Sequence, residues 1–224
     1  MNRILGEFME RKVSVSIYVG AFLLSLFIFV LGVYIGSLID NSNLNLISQK
    51  VTNLSNRVSS VNVLLLMDPA PSSCPLYLSE LDSLDSEIET IGHKLAYLED
   101  EKNVFDDDLK RNYFVLEAES LVLTKKINSV CQNNSRTILI NFYSNKNCAN
   151  CKSQGIEILK ARDELSSQKN LKLFSFDGDL GSAVVDSLKS SYNVTTYPSI
   201  VIQNNTYSGY KSQSQIVSLI RESK

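Results

Sequence analysis

The fold is decided by the stretch "NFYSNKNCANCKSQG", which runs from Asn141 to Gly155. It contains two cysteines, Cys148 and Cys151, after an apolar run and before a helical pattern. Cysteines three positions apart lie on the same face of a helix. They can therefore bind a metal, form an inert disulfide or act as a redox dithiol. The motif alone does not distinguish these three interpretations, and the residues in the rest of the chain are needed to do so.

The composition narrows the classes of function. The chain has 224 residues, enough for one or two domains, and its formal net charge of −2 gives no argument for a nucleic-acid partner. His93 is the only histidine, which argues against histidine-based metal sites and against Ser-His or Cys-His catalysis. We expect His93 to lie on a solvated helix surface, and no cofactor is expected.

The N-terminal region predicts a membrane anchor. Residues 13–39 contain 27 residues without a charge, and about 20 apolar residues are enough to span a bilayer. Arg3, Arg11 and Lys12 precede this segment, and no Lys or Arg follows it until Lys50. The positive-inside rule then places residues 1–12 in the cytoplasm and everything after residue 40 outside, in a single-pass cell-membrane protein.

The spacing of apolar residues after the anchor predicts three helices. Residues 40–67 carry a heptad seam that indicates a coiled-coil stalk, formed by Leu44, Ile47, Val51, Leu54, Val58, Val61 and Leu65. The stalk helix either packs on the following helices or pairs with a second protomer as a homodimer, and the spacing leaves both open. Residues 74–131 carry two further seams that predict an antiparallel hairpin, with Leu81, Leu84, Ile88, Ile91, Leu95 and Leu98 in one helix and Leu109, Tyr113, Leu116, Ser120, Leu123, Ile127 and Val130 in the other.

The predicted hairpin explains the positions of the two remaining cysteines. Cys74 lies just before its first helix and Cys131 just after its second. Folding the hairpin brings these residues together at its open end, and a thiol pair outside the cytoplasm is expected to oxidise. We therefore predict a structural disulfide between them. The helical region is acidic, with a net charge of −6 over residues 41–130, which we interpret as a solvated face.

Residues 132–224 carry a different pattern, which predicts an α/β domain with the order β-α-β-α-β-β-α. The strands are expected at 137–143, 171–177, 199–202 and 206–210, and the helices at 155–168, 181–194 and 212–223. In the first of these helices we expect Ile156, Leu159 and Leu165 to lie on one face. The head and the hairpin are expected to have separate cores.

This order, with C-x-x-C opening the first helix of the head and a proline opening its third strand, resembles the thioredoxin fold. The resemblance covers about residues 132–224 and depends on "NFYSNKNCANCK", on "TTYPSIVI" and on Gly209. The order of the three parts, an anchor, a helical spacer and a head, also resembles that of membrane-anchored thioredoxin-like proteins of archaea and bacteria. It departs from thioredoxins in having Ala149-Asn150 between the cysteines and Asn141 where thioredoxins have a buried aspartate.

The resemblance implies a role for the segment before the third strand. In the family this proline, here Pro198, has a cis peptide bond and packs beside the dithiol. The backbone of Tyr197 would then pair with a substrate peptide as an added strand. From the residues alone, Pro198 only marks the start of an edge or bulged strand.

The position of the cysteines at a helix start suits redox chemistry. Cys148 would lie at the N-terminus, where unpaired N–H groups and the helix dipole favour the thiolate that attacks a disulfide. Cys151, one turn further, would be shielded and would resolve the mixed disulfide. A zinc site needs two more ligands, and Cys74 and Cys131 are better explained by each other, so no metal is expected.

We therefore interpret the chain as a membrane-tethered, extracytoplasmic thiol–disulfide oxidoreductase that acts on protein thiols and disulfides, with Cys148 and Cys151 as catalytic residues and Tyr197 and Pro198 as the substrate-binding edge. An inert disulfide in the head is the competing interpretation. The chain would then be a non-enzymatic interaction or assembly protein with a thioredoxin-like binding head.

Overall fold

The computed structural model describes residues 15–67, 69–132, 136–165 and 171–222. Its helices and strands follow one another as a run of long helices and then a mixed α/β segment. In chain order they are α1 (Val15–Met67), a 3₁₀ turn (Pro71–Ser73), α2 (Cys74–Lys102), α3 (Asp107–Val130), β1 (Thr137–Tyr143), α4 (Cys151–Leu165), β2 (Leu171–Asp177), α5 (Ala183–Ser191), β3 (Ser199–Ile202), β4 (Asn205–Ser208) and α6 (Gln213–Glu222). The chain divides into two compact units, residues 1–46 and residues 47–224.

The first unit contains the N-terminal part of α1. The large apolar side chains between Tyr18 and Tyr34 are exposed. No helix in the described ranges is both long enough and apolar enough to cross a membrane. The predicted cytoplasmic segment 1–12 and the first two residues of the predicted span, 13 and 14, lie outside the described residues.

The rest of α1 belongs to the second unit and packs on the hairpin as a third helix. Six members of its seam are buried, namely Ile47, Val51, Leu54, Val58, Val61 and Leu65. Arg57 pairs with Glu80 and, at 2.7 Å, with Glu87 of α2. Ser55 Oγ donates to Glu119 of α3 at 2.6 Å. Between residues 47 and 65 the seam of α1 is therefore buried within this chain.

Helices α2 and α3 form the hairpin. Asn103 ends α2 in the left-handed conformation, with φ at 52°, which asparagine tolerates better than most residues. Asp106 caps α3 by accepting the N–H of Leu109 at 2.9 Å. At the opposite end Cys74 and Cys131 are joined in a disulfide with their Cα atoms 5.7 Å apart.

The head is built on a four-stranded sheet with the order β2-β1-β3-β4. β1 runs parallel to β2 and antiparallel to β3, and β4 is antiparallel to β3. The order β-α-β-α-β-β-α predicted for this segment is confirmed. One face of the sheet packs against α4 and α6 in an apolar core formed by Leu139, Ile158, Ala161, Leu165, Ile200, Ile202, Ile216, Val217 and Ile220.

The expected orientation of α4 is wrong in part. Leu165 faces the core, but Ile156 and Leu159 are exposed. The buried face instead follows the spacing of Gln154, Ile158, Ala161 and Leu165, which is helical but contains a polar residue. Gln154 is tolerated there because its side chain accepts from the N–H of Lys211 at 2.7 Å and donates to the carbonyl of Lys211 at 3.2 Å.

The other face of the sheet shares its core with the hairpin, so the expectation of separate cores is wrong. Phe114 of α3 meets Phe176 of β2 edge to face, with ring centroids 5.7 Å apart. Phe176 in turn lies 5.9 Å from Phe142 of β1. Helix α3 is therefore buried on two sides, one toward the helices and one toward the sheet. Its heptad seam showed only the first.

The acidic helical face is expected from the sequence to be solvated, and this expectation is wrong in part. Four cations among the described residues of the head form ion pairs with α2, namely Arg136, Lys152, Arg162 and Lys172. Arg136 is buried between Asp85 and Asp82, the latter at 2.6 Å. Lys172 lies 2.8 Å from Asp85, and Arg162 lies 2.7 Å from Glu89. The helical region, with a net charge of −6 over residues 41–130, thus meets a head with a net charge of +4 over residues 131–224.

Candidate functional site

The dithiol lies at the start of α4. Cys148 and Cys151 are joined in a disulfide with Cα atoms 5.4 Å apart. The helix begins at Cys151, whereas the sequence led us to place Cys148 at its N-terminus. The reason is local hydrogen bonding. The carbonyl of Asn150 accepts the first helical bond, from Gln154 N at 2.8 Å, and Cys148 precedes it in a turn in which its carbonyl lies 3.4 Å from Cys151 N.

The two sulfurs differ in access to solvent. Cys151 is buried, with 7% of its surface exposed. Cys148 is half-buried and is flanked by exposed residues on both sides. A thiolate arriving from solvent can therefore reach Cys148 more readily than Cys151. This asymmetry is the one that an attacking and a resolving cysteine require.

Ser144 connects the buried sulfur to the loop that carries the dithiol. Its backbone N–H donates to Cys151 Sγ, with N and Sγ 3.4 Å apart. Its hydroxyl accepts the N–H groups of Lys146 at 3.1 Å and Asn147 at 3.4 Å and donates to Asp179. The loop from β1 to Cys148 is therefore tied to the loop that follows β2.

Pro198 lies at the same end of the sheet as the dithiol loop. Ser199 of β3 pairs with Phe142 of β1, so Pro198, one residue earlier, adjoins the point where β1 ends and the loop begins. Its peptide bond with Tyr197 is cis. Pro198 is buried and Tyr197 half-buried. The carbonyl of Pro198 accepts the N–H of Gly209 at 2.8 Å, which ties the loop to the end of β4.

The Tyr197 ring is held against the loop after β2. A Cβ atom on Gly178 would overlap the Tyr197 hydroxyl oxygen, so only glycine allows the ring to lie there. Lys189 bridges the two, since its Nζ donates to the Gly178 carbonyl at 2.9 Å and lies 5.7 Å from the ring centroid. The hydrogen bond with Tyr197 raises the pKa of Lys189.

The turn of the hairpin borders this site. Buried Lys110, near the start of α3, pairs with Glu99 at 2.9 Å and with Asp177, the last residue of β2, at 3.4 Å. Arg111 donates to the carbonyl of Leu180 at 3.4 Å. Lys152, directly after the dithiol, lies 3.6 Å from Asp100. The helical spacer thus contacts the end of the head that carries the dithiol.

All four cysteines are paired in disulfides. Within the described part of the chain, no group of three His, Cys, Asp or Glu side chains is arranged to hold a metal ion. His93 is exposed on α2, 3.5 Å from Glu89.

The dithiol lies where the strands and the first helix of the head meet. A strand ends at a C-x-x-C pair that opens a helix, a parallel strand follows on one side, and an antiparallel pair that begins at a cis-proline follows on the other. The head has a thioredoxin-like fold.

No protein-family model and no curated protein matches the chain. Among solved structures the chain is similar to chloroplastic thioredoxin z, at 16% identity and a TM-score of 0.34, over 44% of this chain and 87% of that one. It is also similar to the first thioredoxin domain of mouse protein disulfide-isomerase A4, at 23% identity and a TM-score of 0.32, over 44% of this chain and 69% of that one.

Several residues at the site were missed in the sequence. Ser144 and Asp179 are 35 positions apart, and no periodicity connects them. Lys110 lies in a helix that the seams assigned to the spacer alone. Gly178 gave one usable signal, because a glycine directly after a strand often marks a close approach of another chain segment.

Proposed function

We propose that the protein is a thiol–disulfide oxidoreductase in which Cys148 exchanges disulfides with protein substrates and Cys151 resolves the mixed disulfide. One observation carries the proposal: the disulfide closes at the first turn of α4 with Cys148 accessible and Cys151 covered. An inert structural disulfide needs no such difference in access.

The disulfide exchange transfers two electrons between the substrate and the dithiol. When the protein oxidises a substrate dithiol, a substrate thiolate attacks Cys148 Sγ, and the Cys148–Cys151 bond breaks with its electron pair on Cys151 Sγ. The second substrate thiol, as thiolate, then attacks the substrate sulfur of the mixed disulfide and releases Cys148. The substrate loses two electrons, which the two sulfurs take up, and two protons, which pass to the cysteines or, for a sulfur that remains a thiolate, to solvent. Reduction of a substrate disulfide is the same sequence in reverse.

The location of this chemistry is also part of the proposal. We propose that the N-terminal segment tethers the protein to the cell membrane with the head outside the cytoplasm. The proposal is supported by the uncharged residues 13–39, the basic residues before them and the exposed apolar side chains from Tyr18 to Tyr34. Two disulfides in one chain agree with an oxidising compartment, and Tyr197 and Pro198 would frame the substrate.

Trapping of intermediates tests the proposal. Cys151→Ser removes the resolving thiol, so mixed disulfides with substrate proteins should accumulate as reducible high-mass bands on non-reducing gels. Cys148→Ser, the matched control, should form few, because the remaining thiol is buried. Pro198→Thr should prolong the complexes if this edge holds the substrate.

Two results would count against the proposal. Equal trapping by both single variants would contradict the assigned roles of the two cysteines. No trapping by either, together with no exchange of the wild-type disulfide with glutathione, would favour a non-enzymatic interaction protein whose thioredoxin-like head holds a partner.

A further inference from the structure

The buried sulfur of the dithiol has a hydrogen-bond donor that is not part of the dithiol. The N–H of Ser144 points to Cys151 Sγ across 3.4 Å. Every residue except proline would supply an N–H at this position, so the identity of residue 144 matters only if its side chain fixes where that N–H points. The contacts of the Ser144 hydroxyl show how it does so.

The Ser144 hydroxyl holds the loop from three sides. It accepts two backbone N–H groups of the same loop, those of Lys146 and Asn147. It donates its own proton to the carboxylate of Asp179. Ser144 is 5% exposed, so water cannot readily replace these partners, and losing one leaves buried polar groups unpaired.

Asp179 is itself fixed in place. Its N–H donates to Asp177 Oδ1 at 3.1 Å, and its carbonyl accepts Lys146 Nζ at 3.3 Å. Asp177 is in turn held by buried Lys110 of the hairpin. The donor on the buried sulfur is thus anchored by a chain of contacts from α3 to the loop after β2 and from there to Ser144.

We propose that Ser144 and Asp179 set the reduction potential of the dithiol by holding the Ser144 N–H on Cys151 Sγ. This inference rests on the proposed function. Ser144 contacts a reacting atom, and Asp179 acts through Ser144 as a positioning residue. A disulfide sulfur is a weak hydrogen-bond acceptor, whereas a thiolate is a strong one. The donor therefore stabilises the reduced state more than the oxidised state and makes the disulfide a stronger oxidant.

The redox step places charge where this donor points. When a thiolate of a protein dithiol, or of glutathione in the test below, attacks Cys148, the electron pair of the broken bond leaves on Cys151 Sγ. The Ser144 N–H then faces a sulfur that has just become negative. A loosened donor should slow this step and shift its equilibrium toward the disulfide.

The test is a redox titration of the purified full chain in glutathione buffers, at a pH where alkylation shows that Cys151 is a thiolate in the reduced protein. Ser144→Ala and Asp179→Ala should each lower the equilibrium constant for reduction about tenfold, which corresponds to about 30 mV for a two-electron couple. Asp179→Asn keeps an oxygen that can accept from the Ser144 hydroxyl and should recover most of the shift. Ser182→Ala is the matched control, because Ser182 is another serine that is 5% exposed, at the start of α5, and it should leave the equilibrium unchanged.

A second readout separates this role from a merely structural one. In the Cys148→Ser background, alkylation of Cys151 should require a higher pH after Ser144→Ala, because the backbone N–H of residue 144 is no longer held on the thiolate. Unchanged equilibrium constants in the Ser144 and Asp179 variants would overturn the inference while the wild-type exchange still supports the proposed function. An equal shift in Ser182→Ala, or an unchanged pH profile of alkylation, would also overturn it. A wild-type disulfide that does not exchange with glutathione would overturn both.

Discussion

Glu117 is a buried carboxylate at the junction of the hairpin and the head, and its ionisation should control stability near neutral pH. It lies on α3 with 7% of its surface exposed. Oε2 accepts the N–H of Ser175 on β2 at 3.0 Å, and Oε1 accepts the hydroxyl of Tyr113 at 2.7 Å. Burial outweighs both hydrogen bonds and raises the pKa of Glu117 from 4.5 to about 7.

The sign and size of the effect follow from linkage. Because the folded protein holds the proton of Glu117 more tightly than the unfolded chain does, the stabilisation is fully present below about pH 4.5 and is lost as the pH rises to about 7. One pKa unit corresponds to 1.36 kcal/mol. The shift therefore corresponds to about 3 kcal/mol in the free energy of unfolding between pH 4.5 and pH 8.

Glu117→Gln should remove this dependence and keep the contacts. The glutamine oxygen can accept the N–H of Ser175, and its amide can donate to the Tyr113 oxygen. Urea unfolding followed by circular dichroism at several pH values should show equal stability of the two proteins near pH 4.5 and a variant about 3 kcal/mol more stable at pH 8. Tyr113→Phe is the matched variant: it removes the bond to the ionised carboxylate and should move the pH-dependent loss to higher pH. A difference between wild type and Glu117→Gln that is constant with pH would refute the reasoning.

Three further predictions concern topology, the outer disulfide and the substrate edge. A membrane-impermeant amine label applied to intact cells should reach Lys152, whose side chain is 83% exposed, but not Lys12, and labelling of Lys12 alone would contradict an external head. Cys74→Ser opens a link that spans 57 positions and should lower the free energy of unfolding by about 4 kcal/mol. Calorimetry should show one unfolding transition at a lower temperature, because the helices and the head share a core. Two separate transitions would contradict that shared core. Gly178→Ala should displace the Tyr197 ring and lower the free energy of unfolding by roughly 1–3 kcal/mol; unchanged urea unfolding would show that the ring can leave at no cost.

The strands and their order could be predicted because their signals are local. The run from Thr137 to Tyr143 is β-branched, aromatic and continuous, and the strand has those bounds in the structure. The helix seams were equally informative, since nearly all of their members are buried. The place of the C-x-x-C pair between a strand and a helix required only these two kinds of pattern.

The partnership between elements could not be predicted in the same way. Nothing in the period of α3 indicates that Phe114 meets the sheet, because Phe114 lies beside the seam rather than in it. The hydrogen bond between Ser144 and Asp179 joins two loops, and loops have no period. From its polarity Gln154 would be predicted at the surface, and only its hydrogen bonds with the backbone of Lys211 explain its burial. Each of these contacts depends on which distant segment arrives at a given position.

The two-sided burial of α3 also determines how this protein can be taken apart. A fragment starting at residue 132 would contain every strand of the sheet and both cysteines of the C-x-x-C pair, yet Phe176 would lose the ring of Phe114 that packs against it. Such a fragment would present an aromatic surface to water and would tend to associate or to unfold. The smallest fragment suited to fold on its own is therefore the compact unit from residue 47 onward, which contains the three helices and the sheet.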